Sequence, residues 1–104
     1  MPTTVIEGHE VAVDDEGFLT EYDQWDPEIA KALAAAIDVP LTDEHWQVIN
    51  FLREDFKATG ATPTLRRVST AGGVDTKRLF ALFPKKPAKK MSYIAGLPKP
   101  AGCV

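Results

Sequence analysis

Prolines and glycines divide this chain before any other feature does. Pro27, Pro40, Pro63, Pro84 and Pro87, together with Gly60, Gly72-Gly73 and Gly96, recur so closely that only the stretch from Thr42 to Gly60 has room for a long helix. Proline removes an amide donor and clashes with the preceding turn, so it is tolerated at a helix start and excluded from its interior. Glycine just past the last apolar position ends a helix. A chain punctuated in this way folds as several short helices that must bury their apolar stripes against one another.

The patterning assigns those helices. Asp26-Pro27 predicts the first start, because aspartate caps the first amides and proline suits the first helical position. Ile29, Ala30, Leu33 and Ile37 then share one face, and Pro40 is expected to stop it. The second helix starts at Thr42, with Asp43 and Glu44 at the positive end of its dipole. Trp46, Ile49, Leu52, Arg53 and Phe56 recur at helical spacing, and Val48 and Phe51 widen the stripe, so burial on more than one side is expected. Thr62-Pro63 is expected to open a third helix, with Leu65 and Val68 inward and Arg66 and Arg67 outward. After Gly72-Gly73, Asp75 caps a fourth helix from Thr76 to Phe83, which Pro84 stops. A fifth runs from Pro87 to about Ala95, with Gly96 as its terminator. Ahead of the helices, Val5, Val11 and Val13 flank Glu7-Gly8 and predict a β-hairpin. Asp14 to Gly17 forms a second turn, and Phe18-Leu19 is a candidate short strand.

The expected class is α+β and mostly helical: an N-terminal hairpin, about five helices with a helix-turn-helix-like segment, and a mobile C-terminal arm. One domain is expected over residues 1–95 and a flexible arm over 96–104. A chain of 104 residues supports a modest core. No apolar run approaches the ~20 residues of a bilayer span. No signal peptide is visible, a single cysteine cannot close an internal disulfide, and a cytoplasmic location is expected. No membrane contact is expected.

Charge is distributed unevenly. Residues 1–56 hold 14 of the 15 acids and, as bases, only Lys31 and Arg53; residues 57–104 hold 10 of the 12 bases and one acid, Asp75. Two readings are compatible: the halves attract each other, or the basic half meets an anionic partner. Lys85, Lys86, Lys89 and Lys90 surround the last helix and, with Lys99, form a candidate docking patch for an acidic protein face or for tRNA. A solvated basic surface is the plainer alternative.

The only cysteine, Cys103, stands one residue from the C-terminus in the stretch IAGLPKPAGCV. Pro98 and Pro100 bias the backbone toward an extended form. Past Gly96 the chain has little means of packing, and eight extended residues reach at most roughly 26–29 Å. A thiol on such an arm can enter another protein's active site, and that is a carrier's geometry, since a catalyst holds its nucleophile on a rigid support. The thiolate is the reactive form; the carboxylate one residue away is expected to disfavour it and Lys99 to offset this in part, so no built-in activation of Cys103 is expected. An incidental terminal cysteine remains the plain alternative.

The stretch LFPKKPAKKMSYIAGLPKPAGCV resembles the signature of the DsrC/TusE family, the dissimilatory sulfite reductase gamma-subunit family. EVAVDDEGFL, LTDEHWQVINFLREDF and TPTLRRV fit it in the same order, so the resemblance covers nearly the whole chain. It implies a helical domain with an N-terminal hairpin and a mobile arm, and a sulfur relay with persulfide carried on Cys103 and no cofactor. The DsrC branch has a second arm cysteine eleven positions earlier, where this chain has Ser92. That serine, and the short STAGGVDTKR segment, favour the TusE branch. The implied partners are a sulfur donor like the TusBCD or DsrEFH complex, and an acceptor: a tRNA thiouridylase or, on the DsrC side, sulfite reductase. In the first case the relay serves 2-thiouridine formation at the tRNA wobble position.

A reading of another class is a DNA-binding regulator, with residues 62–83 as helix, turn and recognition helix carrying Arg66, Arg67, Lys77 and Arg78. The negative total charge and the short, apolar second helix weigh against it. His9 and His45 have no metal-ligand spacing, and no phosphate loop or GxSxG motif is present. Trp25 and Trp46 read as core residues, and Tyr93 as packing at the base of the arm.

Overall fold

The fifth helix is the one around which the others assemble. In the computed structural model, which describes residues 3–98, β1 (Thr3–Ile6) and β2 (His9–Ala12) form an antiparallel hairpin, followed by a single 3-10 turn at Tyr22–Gln24. Five helices follow: α1 (Pro27–Ala36), α2 (Asp43–Thr59), α3 (Leu65–Ala71), α4 (Thr76–Leu82) and α5 (Pro87–Ile94). Helices α1, α2 and α4 all pack on α5, and α3 bridges α2 and α4. Met91 and Ile94 of α5 are fully buried.

The hairpin register runs from Thr3 opposite Ala12 to Ile6 opposite His9. Its two-residue turn needs positive φ at both central positions, and Glu7 at 50° and Gly8 at 78° supply it. The chain then reverses again around Asp14, whose Oδ1 accepts from the amides of Glu16 at 2.9 Å and Phe18 at 3.0 Å. The expected Phe18-Leu19 strand reduces to one bridge, Val13 to Leu19. Gln24 Oε1 accepts from the Ala12 amide at 2.7 Å and ties the hairpin to the body. Val11, Val13, Leu19, Ile29 and Leu33 form a small second core beside the main one.

The predicted caps hold. Asp26 accepts from the Ile29 amide at 2.9 Å ahead of Pro27, and Asp75 caps α4 through the Lys77 amide at 3.1 Å. Helices α2 and α4 match expectation to within one residue at the start of the first and the end of the second, and two other boundaries differ more. Helix α1 ends at Ala36, ahead of Pro40, because Asp38 adopts φ 58°. The Asp38 amide then donates to Ala35 O at 3.2 Å and the Val39 amide to Ala34 O at 2.9 Å, which is the Schellman pattern. Helix α3 starts at Leu65, because the cap is Thr64, whose Oγ1 accepts from Arg67, and Thr62-Pro63 stay in the preceding loop.

His45 shows what α2 does at its start. It is 4% exposed, its Nδ1 lies 3.1 Å from the Thr42 amide, and its Nε2 lies 2.7 Å from Leu82 O. The amide must donate to Nδ1, so Nε2 carries the hydrogen and donates to Leu82 O. The ring thereby joins the start of α2 to the end of α4, edge-on to Phe83 at 5.0 Å. Among the described residues, no helix is long and apolar enough to cross a membrane.

Candidate functional site

Cys103 and Lys99 lie outside the described residues. The described part of the site is the place from which their segment departs, and the basic loop beside it.

The end of α5 accounts for every carbonyl of its last turn. Gly96, at φ 71°, is the left-handed residue after the cap. It lets the Leu97 amide donate to Ser92 O at 3.1 Å and the Gly96 amide to Tyr93 O at 3.3 Å. Side chains from other elements take the next two: Trp25 Nε1 donates to Ile94 O at 2.8 Å and Arg53 Nη1 to Ala95 O at 2.8 Å. Helix ends normally leave such carbonyls to water; here none of these four is left to it.

Arg53 is central to this root. Its guanidinium lies between two aromatic faces, 3.9 Å from the Tyr22 ring centre and 4.0 Å from that of Trp25. Its Nη2 donates to Tyr22 O at 3.0 Å, and the Tyr22 hydroxyl donates to Arg53 O at 3.2 Å. Burial pulls the guanidinium's pKa down, while Tyr22 and Asp23 oppose the shift; arginine remains charged regardless. The chain stays anchored past the helix. Leu97 is fully buried in the main core, and Pro98 O accepts from Thr62 Oγ1 at 2.9 Å. The expectation that packing fades after Gly96 therefore does not hold for Leu97, which finds a place in the core that its sequence neighbours do not reveal.

Ser92 occupies the buried face of α5. It is fully buried, and its Oγ has no hydrogen-bond partner. Tyr93, half-buried beside it, meets Phe18 edge-on at 5.7 Å, and burial pushes its phenol pKa above the ordinary 10.

The lysines divide into two settings. Lys86, Lys89 and Lys90 line a groove of about 350 Å³ with Glu16, Phe18, Ile37 and Tyr93. Lys89 Nζ stands 3.4 Å from Glu16 Oε1. Lys85 is exposed outside that groove. Lys85 and Lys86 both have positive φ, 59° and 26°, a conformation that costs L residues energy and that swings the chain from α4 into α5. Two cations of the helix-turn-helix-like segment face α2. Arg67 makes a forked pair with Asp55, with Nη2 at 2.8 Å, and Arg78 pairs through two nitrogens with Glu44. Each arginine holds its partner's carboxyl below the ordinary value.

Arg53 and Thr62 did not emerge as site residues from sequence reasoning. A signal existed for Arg53: a charged residue stood at a core position of the α2 stripe, where burial requires a partner. His9 begins β2 and His45 sits at the α2–α4 joint, and among the described residues no group of three or more metal-ligating side chains assembles.

A small helical body with an N-terminal hairpin, and a terminal segment bound at its root and bearing the chain's one thiol, defines the class. The family model described as "DsrC like protein" matches residues 5–104. Sulfurtransferase TusE of Salmonella typhimurium is 38% identical over 107 aligned residues, covering 96% of this chain and 98% of the relative. Its Escherichia coli counterpart is 36% identical with the same coverage. Among solved structures, Allochromatium vinosum DsrC superposes with a TM-score of 0.84 at 40% identity, over 98% of this chain and 97% of that one. The oxidized gamma-subunit of the dissimilatory sulfite reductase (DsrC) of Archaeoglobus fulgidus gives 0.80 at 37% identity, over 99% and 100%. The chain belongs to the DsrC-like family.

Proposed function

We propose that this protein is a sulfur carrier that accepts persulfide sulfur on Cys103 and passes it to a second protein in a relay for tRNA wobble-uridine 2-thiolation. The observation that carries the reading is that the one cysteine of the sequence, Cys103, falls within the family match over residues 5–104. The relatives named sulfurtransferase support it.

The chemistry is thiol exchange. The Cys103 thiolate attacks the outer sulfur of a donor persulfide. The S–S bond of the donor breaks, the donor's inner sulfur leaves as a thiolate, and Cys103 becomes the persulfide. An acceptor thiolate then attacks that outer sulfur and releases Cys103 as a thiolate. No net oxidation occurs, and no cofactor is consumed. A lone cysteine suits this role because no neighbouring thiol can discharge the persulfide as an internal disulfide.

Ser92 favours the tRNA relay over the DsrC-like role beside sulfite reductase. A serine cannot supply the second thiol that the DsrC branch carries at that position, and here its oxygen is sealed inside the core. The proposed partners are a TusBCD-type donor complex and a tRNA thiouridylase, the proposed setting is the cytoplasm, and the proposed docking residues are Lys85, Lys86, Lys89, Lys90 and Lys99, the last of which lies outside the described residues. DNA binding receives less support, since Arg67 and Arg78 are engaged by carboxylates of α2.

Incubation with a small-molecule persulfide donor, followed by intact mass measurement, tests the carrier step. A gain of about 32 Da, one sulfur atom, is expected in the wild type and absent in Cys103→Ser. No gain in the wild type refutes the carrier reading. Loss of 2-thiouridine from tRNA in a deletion strain, restored by wild type and not by Cys103→Ser, is expected for the relay; unchanged thiolation directs the sulfur elsewhere.

A further inference from the structure

The fold covers one edge of the hairpin and leaves the other open. On β2, the Ala12 amide donates to Gln24 Oε1 at 2.7 Å and the Ala12 carbonyl accepts from the Thr20 amide at 3.1 Å. Both groups point away from β1, so Ala12 and the facing Thr3 form a pair that exchanges no hydrogen bonds. The antiparallel ladder alternates. Thr4 and Ile6 therefore bond to β2, and the backbone N–H and C=O of Thr3 and Val5 point out of the opposite edge. Among the described residues, nothing pairs with that edge. Edge strands are commonly guarded by lysine or proline. β1 has neither: Thr3-Thr4-Val5-Ile6 are all uncharged and β-branched, the side chains that suit a strand.

A groove of about 540 Å³ runs along the open edge. Thr4, Val5, Ile6 and Glu7 line it in succession. Successive strand residues point to opposite faces, so a groove touched by all of them lies against the strand's edge. Its far wall is α1, which presents the small side chains of Ala32 and Ala36. Glu7, Asp14 and Asp15 bring three carboxylates to its lining, and the lining holds no cation. Among the described residues, no lysine or arginine nitrogen lies within 4.0 Å of these acids. The occupant follows from this chemistry. Amides and carbonyls open along an edge are met by another extended backbone, which adds a strand. The carboxylates select lysine or arginine on that strand and repel the phosphates of a nucleic acid. They also repel a second copy approaching by the same edge, which would bring its own Glu7, Asp14 and Asp15.

We propose that the open edge of β1, with the groove beside α1, binds an extended segment of a partner protein that carries lysine or arginine and joins the hairpin as a third strand. This goes beyond the sulfur-carrier reading and does not depend on it. The groove lined by Lys86, Lys89 and Lys90 is a separate surface of opposite charge.

The test follows amide NMR shifts of the full-length protein titrated with three end-blocked hexapeptides. One alternates lysine and valine, one alternates glutamate and valine, and the third is the lysine peptide with every amide N-methylated. The lysine peptide is expected to shift the amides of Thr3 to Ile6 and to bind about tenfold or more tighter than the other two, less so as salt rises. Two variants are expected to weaken it by about tenfold or more. Val5→Pro removes an outward amide that the hairpin ladder does not use, a place where an edge strand tolerates proline. Ala36→Phe fills the groove from the α1 side and leaves the strand untouched; it decides the matter if the β2 amide shifts show that Val5→Pro disturbs the hairpin. Absence of shifts at β1 overturns the proposal. So does equal affinity for the lysine peptide and either control, or unchanged binding in Ala36→Phe. A wild-type dimer in sedimentation that Val5→Pro converts to monomer assigns the edge to a second copy and overturns it as well.

Discussion

Replacing Gly96 by alanine tests the root of the terminal segment most directly. The added Cβ would lie 2.2 Å from Trp25 Cδ1, 2.6 Å from its Cγ and 2.8 Å from its Cβ. Trp25 cannot swing aside freely, because its indole donates to Ile94 O and its face carries Arg53. Three costs combine. Left-handed backbone costs an L residue about 1–2 kcal/mol. Forcing a group into a filled space costs about 1–3 kcal/mol. Loss of the indole hydrogen bond costs about 0.5–1.5 kcal/mol. The expected total is roughly 3–6 kcal/mol, against a typical domain stability of about 5–15 kcal/mol. The fold supplies its own control. Gly60 has a similar φ, 77°, and nothing within 4 Å of its added Cβ, so Gly60→Ala should cost only the backbone share, about 1–2 kcal/mol. Equilibrium urea unfolding, followed by tryptophan fluorescence and by circular dichroism, measures both. Equal losses for the two variants, within about 0.5 kcal/mol, would refute the claim that Trp25 closes over Gly96.

Three further outcomes follow from the same contacts. Arg53→Met keeps the stem but strips the donors from Ala95 O and Tyr22 O, and should lower stability by about 2–4 kcal/mol in urea unfolding; a loss under about 1 kcal/mol would mean that water replaces the guanidinium. Ser92→Ala removes a buried oxygen that has no partner, and should be neutral or raise stability by about 1 kcal/mol; a clear loss would reveal a partner for Oγ. The Asp55–Arg67 and Glu44–Arg78 pairs lower both carboxyl pKa values from their ordinary 3.8 and 4.5. Their contribution is therefore complete above those ordinary values and disappears as pH falls through the lowered ones. Urea midpoints measured from neutral pH down into that acid range should fall further for wild type than for Arg67→Met/Arg78→Met, and less so at high salt; parallel curves would show that the pairs contribute nothing.

Local chemistry was legible in the sequence wherever one residue decides an outcome. Asp26-Pro27 and Asp75 cap where they were expected to, and Gly96 terminates α5. Features that depend on distant partners were not. The stop of α1 rests on an aspartate in left-handed backbone, and local pattern favoured Pro40. Leu97 looked like part of a tail because its neighbours are glycine, proline and lysine; its burial is decided by residues far away in the chain. Arg53 was visible as a charge on an apolar stripe, but its partners Tyr22, Trp25 and Ala95 come from two other parts of the fold. His45 looked isolated for the same reason, since its second contact, Leu82 O, lies 37 residues on. The basic loop was foreseen as a group, and its division by the turn at Lys85-Lys86 was not.

The hydrogen bond between Thr62 and Pro98 sets a leash length. Five residues separate that anchor from Cys103 in the sequence, and five residues of fully extended chain reach at most about 17–18 Å. On the carrier reading proposed above, a partner whose receiving cysteine comes within that reach of the loop between α2 and α3 would meet a high local concentration of the cargo. On that reading, Thr62→Val would move the last anchored residue back to the buried Leu97 and lengthen the reach by one residue, about 3.5 Å.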